Sequence, residues 1–267
     1  MTPDEPVQWS RLLGRTLADL AHPVVGRVVV LPEVSSTQDA AFGLSGGAPG
    51  LLLLAARQTS GRGRLGRSWH QRGQLGLAVT FVLDAAEFPP ERLSLAAGLA
   101  AASALDGLVR NSPRLGLRWP NDVVEPLPQP GGGRKVAGVL IEVRDDLALV
   151  GVGINVGQEV DDFPEELRGK AASLRMLGAD ASRIQVADAL LRSVNEALAL
   201  TPGRLAAEWV ERDVLGGSTQ TFVHEGKRIR GVVESIDPAH EIIVRAGDVR
   251  VRLPALTTSL VGDFSRG

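Results

Sequence analysis

Residues 135–156, KVAGVLIEVRDDLALVGVGINV, contain two apolar runs parted only by Asp145, Asp146 and Leu147. So short a connection closes an antiparallel hairpin, because parallel neighbours need a crossover of a dozen or more residues. Further strand-like runs lie at 26–34, 51–57, 75–84 and 115–119, and helical periodicity at 7–20, 35–44, 91–109, 182–200 and 203–215. These elements do not alternate regularly. The order predicts an α+β fold, a mixed β-sheet with packed helices, and not a doubly wound parallel sheet. Towards the C-terminus the texture changes to short alternating runs, TQTFVHEG, KRIRGVVESID, EIIVRAG and DVRVRLP, which predict a small appended β-barrel. The expected division is 1–214 for the main domain and 215–267 for the barrel.

Composition removes several classes of chemistry. The 267 residues include no cysteine, so disulfides, thiolate zinc sites and thiol nucleophiles are excluded. The four histidines (His22, His70, His224, His240) lack metal-ligand spacing. A net charge of −2 argues against a general nucleic-acid binder, and no nucleic-acid partner is expected. The opening MTPDEPVQWS has neither the basic nor the apolar region of a signal peptide, and runs such as LLLLAA at 51–56 are too short to span a bilayer. No membrane association and a cytoplasmic location are expected; the oligomeric state is not legible. Of 29 basic residues only Lys135, Lys170 and Lys227 are lysine, so a lysine here draws notice.

Five segments can carry chemistry. In SGRGRLGRSW, Arg62, Arg64 and Arg67 alternate with Gly61, Gly63 and Gly66 and end on Trp69, with no acid among them. Glycines let backbone approach a ligand, and guanidinium forks suit carboxylate and phosphate oxygens; a flexible basic surface loop is the alternative. RWPND (118–122) presents Asn121, whose amide matches an adenine edge, and Asp122, which can hold magnesium or orient a cation; it also reads as a plain turn beside a core Trp. Lys135 opens a strand of small and apolar residues, where it can meet a carboxylate and a phosphate or simply face water. Gly138 in mid-strand points to close approach of something flat. In VGVGINV (150–156) two glycines leave room above the sheet, and Asn155 needs partners from a ligand or from backbone. Ser35, Ser36 and Thr37 read as a helix cap that can also serve a ligand carboxylate or carbonyl.

Taken in order, SST, Q-x-x-GRGRxGRxW, WPND, K-x-AG-x-L-x-E and G-x-GINV resemble the biotin protein ligases, over residues 35–156 and, with the C-terminal segment, nearly the whole chain. The resemblance implies an α+β catalytic domain with an SH3-like barrel. It implies a two-step reaction in which biotin and ATP, with Mg²⁺, give biotinyl-5′-AMP and pyrophosphate. A lysine of a biotin carboxyl carrier protein domain of a biotin-dependent carboxylase then takes the biotinyl group. With 34 residues ahead of Ser35, it implies the monofunctional type without an N-terminal DNA-binding domain. It places biotin against Ser36, Thr37, Gln38, Gln58, Arg62, Gly63, Arg64, Lys135, Gly138 and Leu140. ATP falls to Arg62, Arg64, Arg67, Trp69, Asn121, Asp122 and Asn155, and catalysis to Lys135, Arg64 and Arg67, with no protein-held metal. The chain departs from the family pattern with Arg118 where Lys precedes WPND, Gln38 where Asn is usual, Leu65 in the loop, and the insert PLPQPGGG before Lys135. A lipoate or octanoate ligase or transferase of the same fold is the alternative; its R-R-x-S-G-G-G signature does not occur here.

Overall fold

The structure, a computed structural model, describes residues 5–109, 113–125 and 132–261. Helix α1 (Glu5–Asp19) leads to strand β1 (Arg27–Val34), helix α2 (Thr37–Ser45) and strand β2 (Leu51–Gln58). A short ribbon, β3 (Gly61–Arg62) and β4 (Ser68–Trp69), precedes β5 (Gly76–Asp84) and helix α3 (Pro90–Asp106). Strands β6 (Gly116–Arg118), β7 (Asp122–Val124), β8 (Lys135–Arg144) and β9 (Leu147–Asn155) follow, then helices α4 (Arg183–Ala199) and α5 (Pro202–Val210). The chain continues through β10 (Thr219–His224), β11 (Lys227–Asp237), β12 (Glu241–Ala246), β13 (Val249–Pro254) and β14 (Thr258–Val261).

The large sheet runs β1-β2-β5-β9-β8-β7-β6. Only β1 and β2 pair in parallel; every other neighbour is antiparallel, so the sheet is mixed and the fold α+β. The β8–β9 hairpin turns on Asp145 and Asp146, both left-handed (φ 48° and 64°), a conformation that Asp tolerates better than most residues. Burial explains the leucine run of β2. Leu52 and Leu54 join side chains of α1, α3 and α4 in the main core, while Leu51 and Leu53 pack with Ala41 of α2 in a second cluster. A strand covered on both faces has no reason to alternate.

Helix α3 is built from small residues so that neighbours can come close; a Cβ on Gly98 would stand 3.6 Å from the Trp209 indole nitrogen. Helix α4 starts in a capping box, Ser182 and Gln185 each accepting from the other's backbone N–H. Helix α5 ends at Val210, short of the 215 that periodicity suggests, because another partner claims the backbone. Leu117 N–H donates to Arg212 O (2.7 Å) and Val214 N–H to Leu117 O (3.1 Å), while the buried Arg212 guanidinium reaches Asp106 (2.7 Å) and Leu115 O (3.0 Å). The C-terminal strands form an antiparallel sheet ordered β13-β12-β11-β10-β14. It is seated on the main core by the edge of Phe222 against Trp119, ring centroids 6.4 Å apart. Of the insert PLPQPGGG (126–133), residues 126–131 lie outside the described residues.

Candidate active site

Along β9 the residues on the α2 side of the sheet are Leu147, Leu149, Gly151, Gly153 and Asn155. The leucines lie under α2; beyond it the side chains stop. Register extends the gap sideways: Gly153 sits between Ala78 and Gly138, and Gly151 between Thr80 and Leu140. The result is a cavity of about 750 Å³ floored by small residues in mid-sheet. The row through Gly153 and Gly138 continues across β7 and β6 to Asp122 and Arg118, so one cross-strand line passes from apolar to charged.

The uncharged end is built around the start of α2. Ser36 occupies the N-cap position, yet its hydroxyl makes no capping bond, contrary to the sequence reading. The cap comes instead from Gln58 at the end of β2, whose Oε1 accepts from Thr37 N–H (2.8 Å) and Thr37 Oγ1 (3.0 Å). Thr80 Oγ1 donates to Thr37 Oγ1 (3.0 Å). Gln38 lies against Gly151 and donates from Nε2 to Leu140 O (2.9 Å) and Leu149 O (3.2 Å). A Cβ on Gly151 would sit 2.9 Å from that nitrogen, so glycine there makes room for the longer residue that replaces the more usual Asn.

At the charged end Asp122 accepts from Arg118 (2.9 Å) and pairs with Lys135 Nζ (2.5 Å). Burial opposes ionisation of Asp122, and the charges of Lys135 and Arg118 outweigh it, holding the carboxyl down at about 2. Each oxygen of Asp122 faces one cation, so in this arrangement the carboxylate orients Arg118 and Lys135. Lys135 folds back over Gly138 and lies 5.4 Å from the centre of the Trp69 ring. Asn121 donates to Val139 O. Asn155 spends both amide hydrogens on Lys135 O (3.2 Å) and Ala172 O (3.1 Å), so backbone rather than ligand satisfies them.

The arginine loop arches over the cavity. Its tip is tight: Gly63 N–H donates to Arg67 O (2.7 Å), Leu65 and Gly66 are left-handed, and Arg67 is exposed. Arg64 reaches the turn between β13 and β14, donating to Ala255 O, and its burial pushes the guanidinium pKa down from the usual arginine range. A flat group does approach Gly138: the indole of Trp69 rests on Gly138 and Gly153. Each residue assigned from the sequence to biotin, ATP or catalysis lines this one cavity.

Sequence reasoning missed several neighbours. Asp39 and Glu142 supply the acids that the loop itself lacks, pairing with Arg62 at 2.6 and 3.4 Å. Lys170, conspicuous only through the rarity of lysine, lines the cavity and gives its carbonyl to Lys135 N–H (2.7 Å). Val223, Ser259, Leu260 and Val261 bring the C-terminal sheet into the wall, and no local signal marked them.

The biotin/lipoate A/B protein ligase family model matches residues 30–159. A biotin–[acetyl-CoA-carboxylase] ligase of Mycobacterium tuberculosis is 33% identical over 218 residues, covering 75% of this chain and 78% of that protein. The chain belongs to the biotin protein ligases. This ligase is also 34% identical over 164 residues to a bifunctional ligase/repressor of Bacillus spizizenii, 58% of the chain and 48% of that relative. Among solved structures, a biotin protein ligase from Aquifex aeolicus in complex with biotin and ATP superposes with a TM-score of 0.74 at 29% identity, covering 88% of this ligase and 98% of that chain.

Proposed function

We propose that this ligase condenses biotin with ATP to biotinyl-5′-AMP and passes the biotinyl group to a lysine of a carrier domain of a biotin-dependent carboxylase. The observation that carries the reading is the cross-strand row from Ala78 to Arg118, which joins an uncharged, glycine-floored half to a cationic half within one cavity. A fused ureido ring with a hydrocarbon tail suits the first half. Ser36, Thr37, Gln38, Gln58 and Gly63 offer the polar contacts there, and Gly138 and Leu140 the apolar ones. The tail's carboxylate then ends near Lys135, where the nucleotide phosphates also gather.

In the first step a carboxylate oxygen attacks the α-phosphorus, the bond to pyrophosphate breaks, and a mixed anhydride forms. Two anions must approach each other. Lys135, Arg64 and Arg67 offset their repulsion and the charge growing on pyrophosphate, and one such donor is worth about 3 kcal/mol of transition-state stabilisation. Asn121 and Trp69 border the nucleotide, while Asn155 acts on it through the backbone of Lys135 that it holds. In the second step an incoming neutral lysine amine attacks the acyl carbon and expels AMP. Trp69 and the loop exclude water, which would otherwise hydrolyse the anhydride. Among the described residues no group of three His, Asp or Glu clusters to cage a metal. Mg²⁺ would enter with the phosphates of ATP and would offset part of their charge, as it does in many nucleotide enzymes.

A cytoplasmic location completes the reading, since carboxylase carriers and ATP meet there; among the described residues no helix is long and apolar enough to cross a membrane. The test is ATP-dependent incorporation of labelled biotin into a carboxylase carrier domain, with octanoate offered in parallel. Transfer of octanoate and not biotin overturns the substrate assignment.

A further inference from the structure

Arg62 is the one loop arginine held from two sides. Its Nη1 and Nη2 meet the two oxygens of Asp39 at 2.6 and 2.9 Å, and Glu142 stands 3.4 Å away. Arg144 closes the ring, reaching Asp39 at 2.9 Å and Glu142, with its guanidinium 5.6 Å from the centre of the Phe42 ring of α2. Two arginines and two acids thus join the loop, the first turn of α2 and the end of β8. Just before Arg62, a Cβ on Gly61 would come 2.4 Å from the Gln58 amide and 2.7 Å from Trp69 O, so this point of the backbone is also packed in place. Beyond it the chain turns through Leu65 and Gly66 with an exposed tip.

We propose that Asp39 is a positioning residue, which with Glu142 and Arg144 clamps Arg62 as a fixed post from which residues 63–67 swing over the bound reactants. The inference rests on the reading of the cavity as a biotin-activating site. Arg62 then holds the loop instead of binding phosphate. Stability is not the reason for the clamp. The Arg62 and Asp39 side chains are 38% and 44% exposed, and ion pairs so exposed add little to folding. What a bidentate fork adds is direction, because two parallel bonds fix the plane of the guanidinium. The hydrogen bond from Arg62 does most to hold the Asp39 carboxyl down at about 2, so the clamp stays charged throughout the neutral range.

The full chain is assayed for pyrophosphate release with biotin and ATP, and for escape of labelled adenylate, read as hydrolysed product and as label on a bystander protein. For Asp39→Asn, KM for biotin and adenylate escape should each rise about tenfold, with kcat for adenylation changed no more than about twofold, and Asp39→Glu should restore much of both. Glu142→Gln attacks the same clamp from β8 and should shift both readouts in the same direction, which keeps the test open if one variant folds poorly. Wild-type KM and escape in both Asp39→Asn and Glu142→Gln overturn the clamp, as does a fall in kcat with KM and escape unmoved. A wild-type chain that forms no adenylate overturns the reading of the site itself, and the clamp with it.

Discussion

Gly138 and Gly153 face each other across β8 and β9, and the indole of Trp69 rests on both. A Cβ at Gly153 would lie 2.4 Å from Trp69 Cε2, and one at Gly138 3.2 Å from Cζ3. Neither glycine has a positive φ, so what each residue type protects is the space above it. Gly153→Ala should therefore leave the thermal midpoint near the wild-type value while lifting Trp69 off the floor. Biotin activation should fall at least about tenfold, equivalent to about 1.4 kcal/mol. Pyrophosphate release measures the loss. Tryptophan fluorescence reports the displacement, because Trp9, Trp119 and Trp209 are all buried.

Lys135→Ala removes the ammonium that faces Asp122 and leaves Arg118 as its partner. Adenylation should fall by roughly 100-fold, close to the 3 kcal/mol typical of losing one aimed donor, with circular dichroism unchanged. Wild-type rates of pyrophosphate release in this variant rule out the catalytic role of Lys135.

Asp122 also sets an acid limit on stability. Its carboxyl sits near 2 in the fold against an ordinary value of 3.8. A depressed carboxyl stabilises the fold above its unfolded pKa and loses that contribution as pH falls through its folded pKa. Stability on the order of 2 kcal/mol should therefore disappear between about pH 4 and pH 2. Asp39 shares the window but is more exposed, so solvent screens its part. Chemical denaturation of wild type and Asp122→Asn across this range should give a shallower dependence for the variant; equal slopes remove Asp122 as the source.

Two arginines separate buried from exposed pairing. Arg212 is buried and bonds Asp106, Leu115 O and Ser103 at 2.7, 3.0 and 3.2 Å. Arg212→Ala leaves Asp106 with Leu115 N–H (2.7 Å) and the exposed Arg114 (3.9 Å), and should cost about 1.5–3 kcal/mol. Arg204→Ala breaks an exposed pair with Glu208 four residues on and should cost no more than about 0.5 kcal/mol. Thermal unfolding of both variants checks the contrast.

The β8–β9 hairpin, the β2 leucine run and the helices were legible because their signals are local: a turn too short for a crossover, an uninterrupted apolar stretch, a 3.6-residue period. The parallel pairing of β1 with β2 and the strand order were not, since they depend on which distant segments share a core. For the site, the glycines and lone polar residues identified the floor and walls. The partners of the arginines could not be read, because Asp39 and Glu142 lie 23 and 80 residues from Arg62 in sequence. Trp69 was legible as the residue that closes the arginine loop, but that its indole rests on both Gly138 and Gly153 needed three-dimensional packing to reveal.

The glycine floor also bounds what this cavity can become. Positions 138, 151 and 153 already carry the smallest side chain there is, so any replacement adds atoms and shrinks the chamber. Acceptance of a bulkier acid must come from trimming Leu140 or shifting Trp69. Selection for larger analogues should recover changes at those two borders and leave the three floor positions untouched.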